Sequence, residues 1–152
     1  MLIVGMGDQR YALDVGAVAD VIPMVHVRAL PHTPDYVAGI FSYHGTVVPV
    51  IDLCQLTLGR PCRERLSTRT VLLHFPGQDG RAHLLGLRAE HVLATARVRR
   101  IDISSAQVEV EDAPYLGDVF SDERGLVQCL QVDRLLPESL RDSLFAVQDK
   151  GP

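Results

Sequence analysis

The sequence predicts an all-β protein made of two similar small β units. Three features carry that reading: short β-rich runs punctuated by glycine and proline, helical pattern confined to brief pieces, and a weak but ordered internal repeat. At 152 residues, the chain is long enough for one compact unit to bury roughly two thirds of its unfolded surface. Residues 1–152 are therefore read as a single domain with two lobes.

Leu2 to Met6 is a short apolar run, Gly7-Asp8 is a turn signal, and Arg10 to Asp14 alternates with Tyr11 and Leu13 on one face. That pattern is a β-hairpin. Asp14 is suited to cap a two-turn helix in which Val15, Val18, Ala19 and Ile22 recur at three- and four-residue steps until Pro23. Pro31 and Pro34 make the segment from Leu30 to Pro34 an extended surface loop. A second hairpin joins Val37–Phe41 to Thr46–Ile51 across Ser42-Tyr43-His44-Gly45. Pro49 cannot donate to a ladder, which predicts an edge or bulged strand there. Asp52 then caps a turn of helix that stops at Gly59.

Arg60, Arg63, Arg65 and Arg69 mark a polar connector. Beyond it the first half repeats. Val71–Phe75, the turn at residues 76–80 and Ala82–Leu87 rebuild the opening hairpin, and Ala89–Leu93 again places a short helix-like piece after it. Tyr115, Leu116, Val119, Phe120 and Ser121 echo Tyr36, Val37, Ile40, Phe41 and Ser42 at a constant offset. Gly125 then answers Gly45, Val127 answers Val47 and Asp133 answers Asp52. This division gives lobe one over about 15–65 and lobe two over about 66–136, with terminal elements crossing over and a shared apolar seam between them. A groove is expected where the rims meet. Residues 137–145 form a short amphipathic helix, with Pro137 at its first position and Leu140 and Leu144 one turn apart, packed on a barrel.

Composition narrows the function. Hydrophobic residues make up 47% of the chain and the net charge is −4, with mean hydropathy +0.12, the balance of a folded, water-soluble protein. A mildly acidic chain lacks the field that draws nucleic-acid binders to their targets. No apolar run approaches the roughly 18 to 20 residues that cross a bilayer, and the opening run lacks a basic start and ends too early for a signal peptide. The expected location is the cytoplasm. Cys54, Cys62 and Cys129 form no C-x-x-C pair, so free thiols in a reducing compartment are expected.

Catalytic and cofactor motifs are missing from the sequence. Gly5-Met6-Gly7 lacks a third glycine and leads into a hairpin strand, and no G-x-S-x-G elbow, H-E-x-x-H pair or phosphate loop occurs. His26, His32, His44, His74, His83 and His91 are scattered, with no reason to converge on a metal. Of these, His44 sits in the most exposed turn. The cluster Arg97, Arg99 and Arg100 could serve a single-strand nucleic-acid-binding small β-barrel protein, the alternative reading, but only beside aromatic platforms. Aromatics are 5% of the chain, with no tryptophan, so both arginine clusters are read as solvated faces or protein contacts. The sequence predicts no enzyme, no catalytic residue, no cofactor and no metal.

Leu30-Pro31-His32-Thr33-Pro34-Asp35-Tyr36-Val37-Ala38-Gly39-Ile40, followed by Tyr43-His44-Gly45-Thr46-Val47-Val48-Pro49-Val50-Ile51-Asp52-Leu53, resembles the core signature of CheW-like chemotaxis coupling domains. That signature is a proline-flanked loop, a small strand with glycine, an R-G turn and a V-P-[IV]-[IV]-D-L strand. Tyr11-Ala12-Leu13-Asp14, Leu85-Gly86-Leu87 with Glu90 and Val92, and Gly125 to Leu136 continue the match in order. The resemblance implies two SH3-like five-stranded β-barrels around an apolar seam and a non-catalytic adaptor. It implies bridging between the cytoplasmic tip of a methyl-accepting chemoreceptor and the regulatory domain of a CheA-type histidine kinase, with other CheW-like proteins as further partners. Membrane association would be indirect, through the receptor clusters that recruit the protein. Carried onto matching positions, the receptor groove involves Val18, Asp20, Val21, Ile22, Gly39, His44, Val71 and Leu72. The family's R-G arginine is replaced by His44, and a histidine offers fewer donors than a planar guanidinium. That departure points to an accessory, non-flagellar pathway with a divergent receptor.

Overall fold

The computed structural model describes residues 1–76, 82–92, 112–122 and 124–149. The predicted basic cluster Arg97, Arg99 and Arg100, the turn residues 77–80 and the helix-like end at Leu93 lie outside these. Strands β1 (Leu2–Met6) and β2 (Gln9–Leu13) form the opening hairpin, with Leu2 opposite Leu13 and Met6 opposite Gln9. Gly7 turns the chain at φ 56°, which glycine adopts without a Cβ penalty.

The predicted helix after Asp14 is corrected. Asp14 does cap, accepting from Gly16 N at 2.9 Å, but it caps a single 3-10 turn, Val15–Ala17. Val18–Pro23 is then strand β3. Nine residues repay helix nucleation poorly, whereas β-branched Val18, Val21 and Ile22 favour an extended strand once a partner edge is available.

Further along run β4 (Val37–Tyr43), β5 (Thr46–Asp52) and the short helix α1 (Leu53–Leu58). They are followed by β6 (Arg69–Pro76), β7 (Ala82–Ala89) and β8 (His91–Val92). Strands β9 (Leu116–Asp122) and β10 (Gly125–Leu130) precede helix α2 (Glu138–Asp149). Among the described residues the strands make two five-stranded sheets, ordered β8-β1-β2-β10-β9 and β3-β6-β7-β5-β4.

This topology moves the boundary expected near residue 66. The hairpin β6–β7 completes the sheet of β3, β4 and β5, while the opening hairpin shares its sheet with β8, β9 and β10. The units have exchanged hairpins because the strand after each hairpin pairs with the other hairpin: β3 with β6, and β8 with β1. In both sheets a parallel pair, β5 with β7 and β10 with β2, closes the arrangement. The repeat read in the sequence is thus real at the level of strand order, and its copies are interlaced.

The echo also holds at atomic level, with one correction. Asp52 N donates to Tyr36 O at 2.8 Å and Gln131 N donates to Tyr115 O at 2.7 Å, so Gln131, not Asp133, answers Asp52. Asp133 lies further on, inside the 3-10 turn Val132–Arg134. Pro49 is also placed differently, since β5 is an interior strand between β7 and β4. Its missing donor is harmless: opposite Ile40 turns its own N–H and C=O away to Arg28, at 2.9 and 2.8 Å.

One apolar core joins the sheets. Val4, Met6 and Leu13 of the first pack with Val71, Leu73, Phe75, Leu85 and Leu87 of the second. Each such side chain contributes about 1.5–3 kcal/mol when buried. Helix α2 adds Leu144 and Phe145 to this core and runs beyond the predicted end at 145 to Asp149. Gln148 explains the extension: it accepts from Leu84 N at 2.9 Å and donates to Leu84 O at 3.0 Å and Val47 O at 3.1 Å. No helix among the described residues is long and apolar enough to cross a membrane.

Candidate functional site

Of the residues expected to bind a partner, Asp20 and His44 are brought together, and a residue not expected joins them. Strand β3 carries a one-residue bulge between Val18, opposite Leu73, and Asp20, opposite Leu72. The bulge breaks the strict alternation of the strand and leaves Asp20 exposed. The β4–β5 turn is tighter than predicted, since the strands run on to Tyr43 and Thr46, which pair directly. Only His44 and Gly45 remain in the loop, at φ 50° and 81°. Positive φ at both positions is the mark of a type I′ turn, which matches the twist of its strands. Histidine tolerates this region better than most side chains.

Tyr43 links the two elements. Its hydroxyl donates to Asp20 Oδ2 at 2.9 Å, and its ring meets that of His44 edge-on at 4.3 Å and 82°. The hydrogen bond to Asp20, followed by desolvation and the carboxylate charge, raises the Tyr43 hydroxyl above its ordinary value. Asp20 Oδ1 meanwhile accepts from Val21 N at 2.8 Å, so both carboxylate oxygens are engaged. Asp20 and Tyr43, joined by a hydrogen bond, and His44, in ring contact with Tyr43, form one polar ridge, flanked by Val21 at 39% exposure and by half-buried Val18 and Ile22.

The other expected residues play different parts. Gly39 is buried at φ 149°, and a Cβ there would lie 2.3 Å from Arg28 O. Its neighbour Ile40 exchanges both backbone hydrogen bonds with Arg28, so Gly39 permits the segment after β3 to close against β4 into a barrel. Val71 and Leu72 are fully buried, which removes their side chains from any open groove. The sequence signal for Tyr43 was confined to its place in the turn motif, because its partner is distant in the chain.

A second cluster holds the two sheets in register. Glu90, just past β7, is 3% exposed and receives Gly7 N at 3.2 Å from the opening turn. It also accepts Arg63 N at 2.8 Å and both terminal nitrogens of Arg60, at 3.0 and 3.1 Å. The Arg60 bonds, with those from Arg63 and Gly7, outweigh burial and hold the Glu90 carboxyl at about 2, against an ordinary 4.5. Arg60, read as part of a solvated connector, is therefore a structural cation. Of the six histidines, His83 is buried and stacked on Phe145 at 4.6 Å. Among the described residues the one group able to hold a metal by proximity is Asp52, Cys54 and Cys62. Both Asp52 oxygens already accept backbone N–H groups, from Gln55 at 3.0 Å and Cys62 at 2.9 Å.

Two interlaced five-stranded sheets with a polar ridge at one rim define a small all-β protein of two SH3-like barrel units. The chain belongs to the CheW family, matching its CheW-like domain over residues 1–140. It is 24% identical to the chemotaxis protein CheW of Helicobacter pylori over 133 residues, covering 86% of this chain and 77% of that one. It is 32% identical to the protein FrzA of Myxococcus xanthus over 99 residues, or 64% and 58% of the two chains. The crystal structure of the scaffolding protein TtCheW from Thermoanaerobacter tengcongensis superposes with a TM-score of 0.72 at 20% identity, covering 85% of this chain and 86% of that one.

Proposed function

We propose that this protein is a non-catalytic adaptor that couples the cytoplasmic tip of a methyl-accepting chemoreceptor to the regulatory domain of a CheA-type histidine kinase. The observation that carries this reading is the family match, which runs through both sheets from residue 1 to 140. The receptor-facing surface in this proposal is the ridge of Asp20, Tyr43 and His44 with Val18, Val21 and Ile22 beside it. Its mix of exposed apolar and polar groups suits a helix laid against a barrel rim. The protein would work in the cytoplasm, recruited to receptor clusters, and His44 favours an accessory pathway over the main flagellar array. The alternative, single-strand nucleic-acid binding, has neither the charge nor the aromatic platforms it requires.

A pull-down from native cytosol with this protein as bait, at moderate salt, tests the proposal. Recovery of a methyl-accepting receptor together with a histidine kinase is the expected result. Recovery of nucleic acid, with neither of those proteins, overturns it.

A further inference from the structure

Cys54 and Cys62 lie eight residues apart in sequence, yet their sulfurs are 2.8 Å apart. Their approach is built by the backbone. Cys54 stands in the first turn of α1, and Gly59, at φ 74°, reverses the chain so that the connector returns over the helix. A single carboxylate fixes both ends: Asp52 Oδ1 accepts from Gln55 N at 3.0 Å and starts the helix, while Oδ2 accepts from Cys62 N at 2.9 Å. The sulfurs are 0% and 7% exposed by residue, and no larger side chain separates them.

Asp52, Cys54 and Cys62 present donor atoms within 4.8 Å of one another, but the carboxylate is already committed to the two backbone amides. That leaves the two sulfurs as the reactive pair. Closing 2.8 Å to a sulfur–sulfur bond of about 2.05 Å requires small side-chain rotations.

We propose that Cys54 and Cys62 are an oxidisable dithiol whose disulfide staples α1 to the connector. This inference is independent of the adaptor role. With hydrogen peroxide as the two-electron oxidant, the Cys54 sulfur attacks one oxygen; the S–O bond forms, the O–O bond breaks, and the departing hydroxide leaves as water with the Cys54 proton. The Cys62 sulfur then attacks the sulfenic sulfur, the S–S bond forms, the S–O bond breaks, and a second water leaves with the Cys62 proton. Two electrons pass from the sulfurs to the peroxide.

The order of attack follows from the hydrogen bond between the thiols, in which the Cys62 S–H donates to Cys54 Sγ. That bond, burial and the nearby Asp52 charge push the Cys62 thiol up, which suits Cys62 to the resolving position. Both sulfurs are buried, so oxidation requires the connector to open; there Arg63, Glu64 and Arg65 are exposed and Leu66 is 94% exposed. The staple has a mechanical consequence as well. Arg60 and Arg63, on either side of Cys62, hold Glu90 and through it Gly7 of the other sheet. Fixing Cys62 therefore fixes the link between the sheets.

The test treats the purified, fully reduced chain with hydrogen peroxide and counts free thiols after denaturation. The chain has three cysteines; the expected result is a fall to one, with an intact mass lower by two hydrogens and no covalent dimer. Cys54→Ser and Cys62→Ser should each keep both remaining thiols under the same treatment, and Cys129→Ser should still lose its pair. If a serine variant fails to fold, hydrogen exchange of the native chain replaces it, with slower exchange at 60–66 expected after oxidation. Three surviving thiols, a disulfide through Cys129, or a native chain that holds one zinc ion on the thiols would each overturn the proposal.

Discussion

The Tyr43 hydroxyl donates to Asp20 Oδ2 at 2.9 Å and so joins β3 and β4, the two outer strands of one sheet. Together with the backbone exchange between Arg28 and Ile40, this turns the sheet into a closed barrel. Tyr43→Phe keeps the ring and removes the donor. The bond is exposed to solvent, so the urea midpoint should barely move. Amide exchange of Asp20 and Val21 should nevertheless accelerate, because the edge of β3 loses its tie. Unchanged exchange at both residues would mean that Arg28 and Ile40 close the barrel alone.

Gly39 is the stricter requirement for closure. Any Cβ would stand 2.3 Å from Arg28 O and 2.7 Å from Arg28 C, at φ 149°. The obstacle is backbone, which cannot rotate away as a flexible side chain would. Strain in φ and overpacking act together, so Gly39→Ala should cost about 3 kcal/mol or more. Chemical denaturation of the variant measures this directly, and a cost near zero would show that the 24–36 loop can move aside.

Glu90 gives the fold a dependence on acid. Its carboxyl is held at about 2, against 4.5 ordinarily, chiefly by Arg60. A group with a depressed folded value contributes stability that is fully present above 4.5 and is lost as pH falls through the interval down to about 2. The Glu90 side chain is buried but its partner Arg60 is 35% exposed, so screening cuts the contribution to on the order of 1–2 kcal/mol. Glu90→Gln should therefore be less stable than the parent at pH 7 by about that amount, with the two curves converging near pH 2. Parallel curves across that interval would place the effect elsewhere.

These three positions show what was legible in the sequence. Turn glycines, caps at Asp14 and Asp52, and the repeated strand order are local signals, and each appeared where local physics puts it. A crossing of terminal elements was legible, and the opening hairpin makes it; the return of β6–β7 to the first sheet was not, because strand pairing between β3 and β6 depends on which edge is free, a property of the assembled sheet. The same holds for Val15 to Pro23, where a short helical period yielded to an edge waiting at Thr70–Leu73. Asp20 and His44 stood out by motif, but Tyr43 joins them through a bond that spans 23 residues. Val71 and Leu72 are buried in the core, and apolar residues beside a proposed groove and apolar residues in the core read alike in sequence.

Gln148 anchors the end of α2 through both amide groups, bridging Leu84 and Val47. Gln148→Ala removes all three bonds and leaves backbone groups of β5 and β7 without them. A cost of about 1–3 kcal/mol is expected, and loss of helical signal should precede loss of the sheets on heating. A single transition unchanged from the parent would show that Leu144 and Phe145 alone seat the helix.

His44 stands at the tip of the proposed receptor surface, in a left-handed conformation at φ 50° and edge-on to Tyr43 at 4.3 Å. An arginine here would bring a planar donor fork and a permanent charge to the rim, beside the Asp20 carboxylate. His44→Arg should therefore tighten binding to a receptor tip peptide whose facing side presents carboxylates or helix-end carbonyls, by roughly five- to tenfold, or about 1 kcal/mol. The gain should weaken in high salt, since an exposed charge pair is screened within about 10 Å at 0.1 M. Titration calorimetry at two ionic strengths separates the outcomes. Tighter, salt-sensitive binding would show that histidine lowers receptor affinity at this turn, whereas equal affinity would remove His44 from the contact and leave Asp20, Tyr43 and Val21 to carry it.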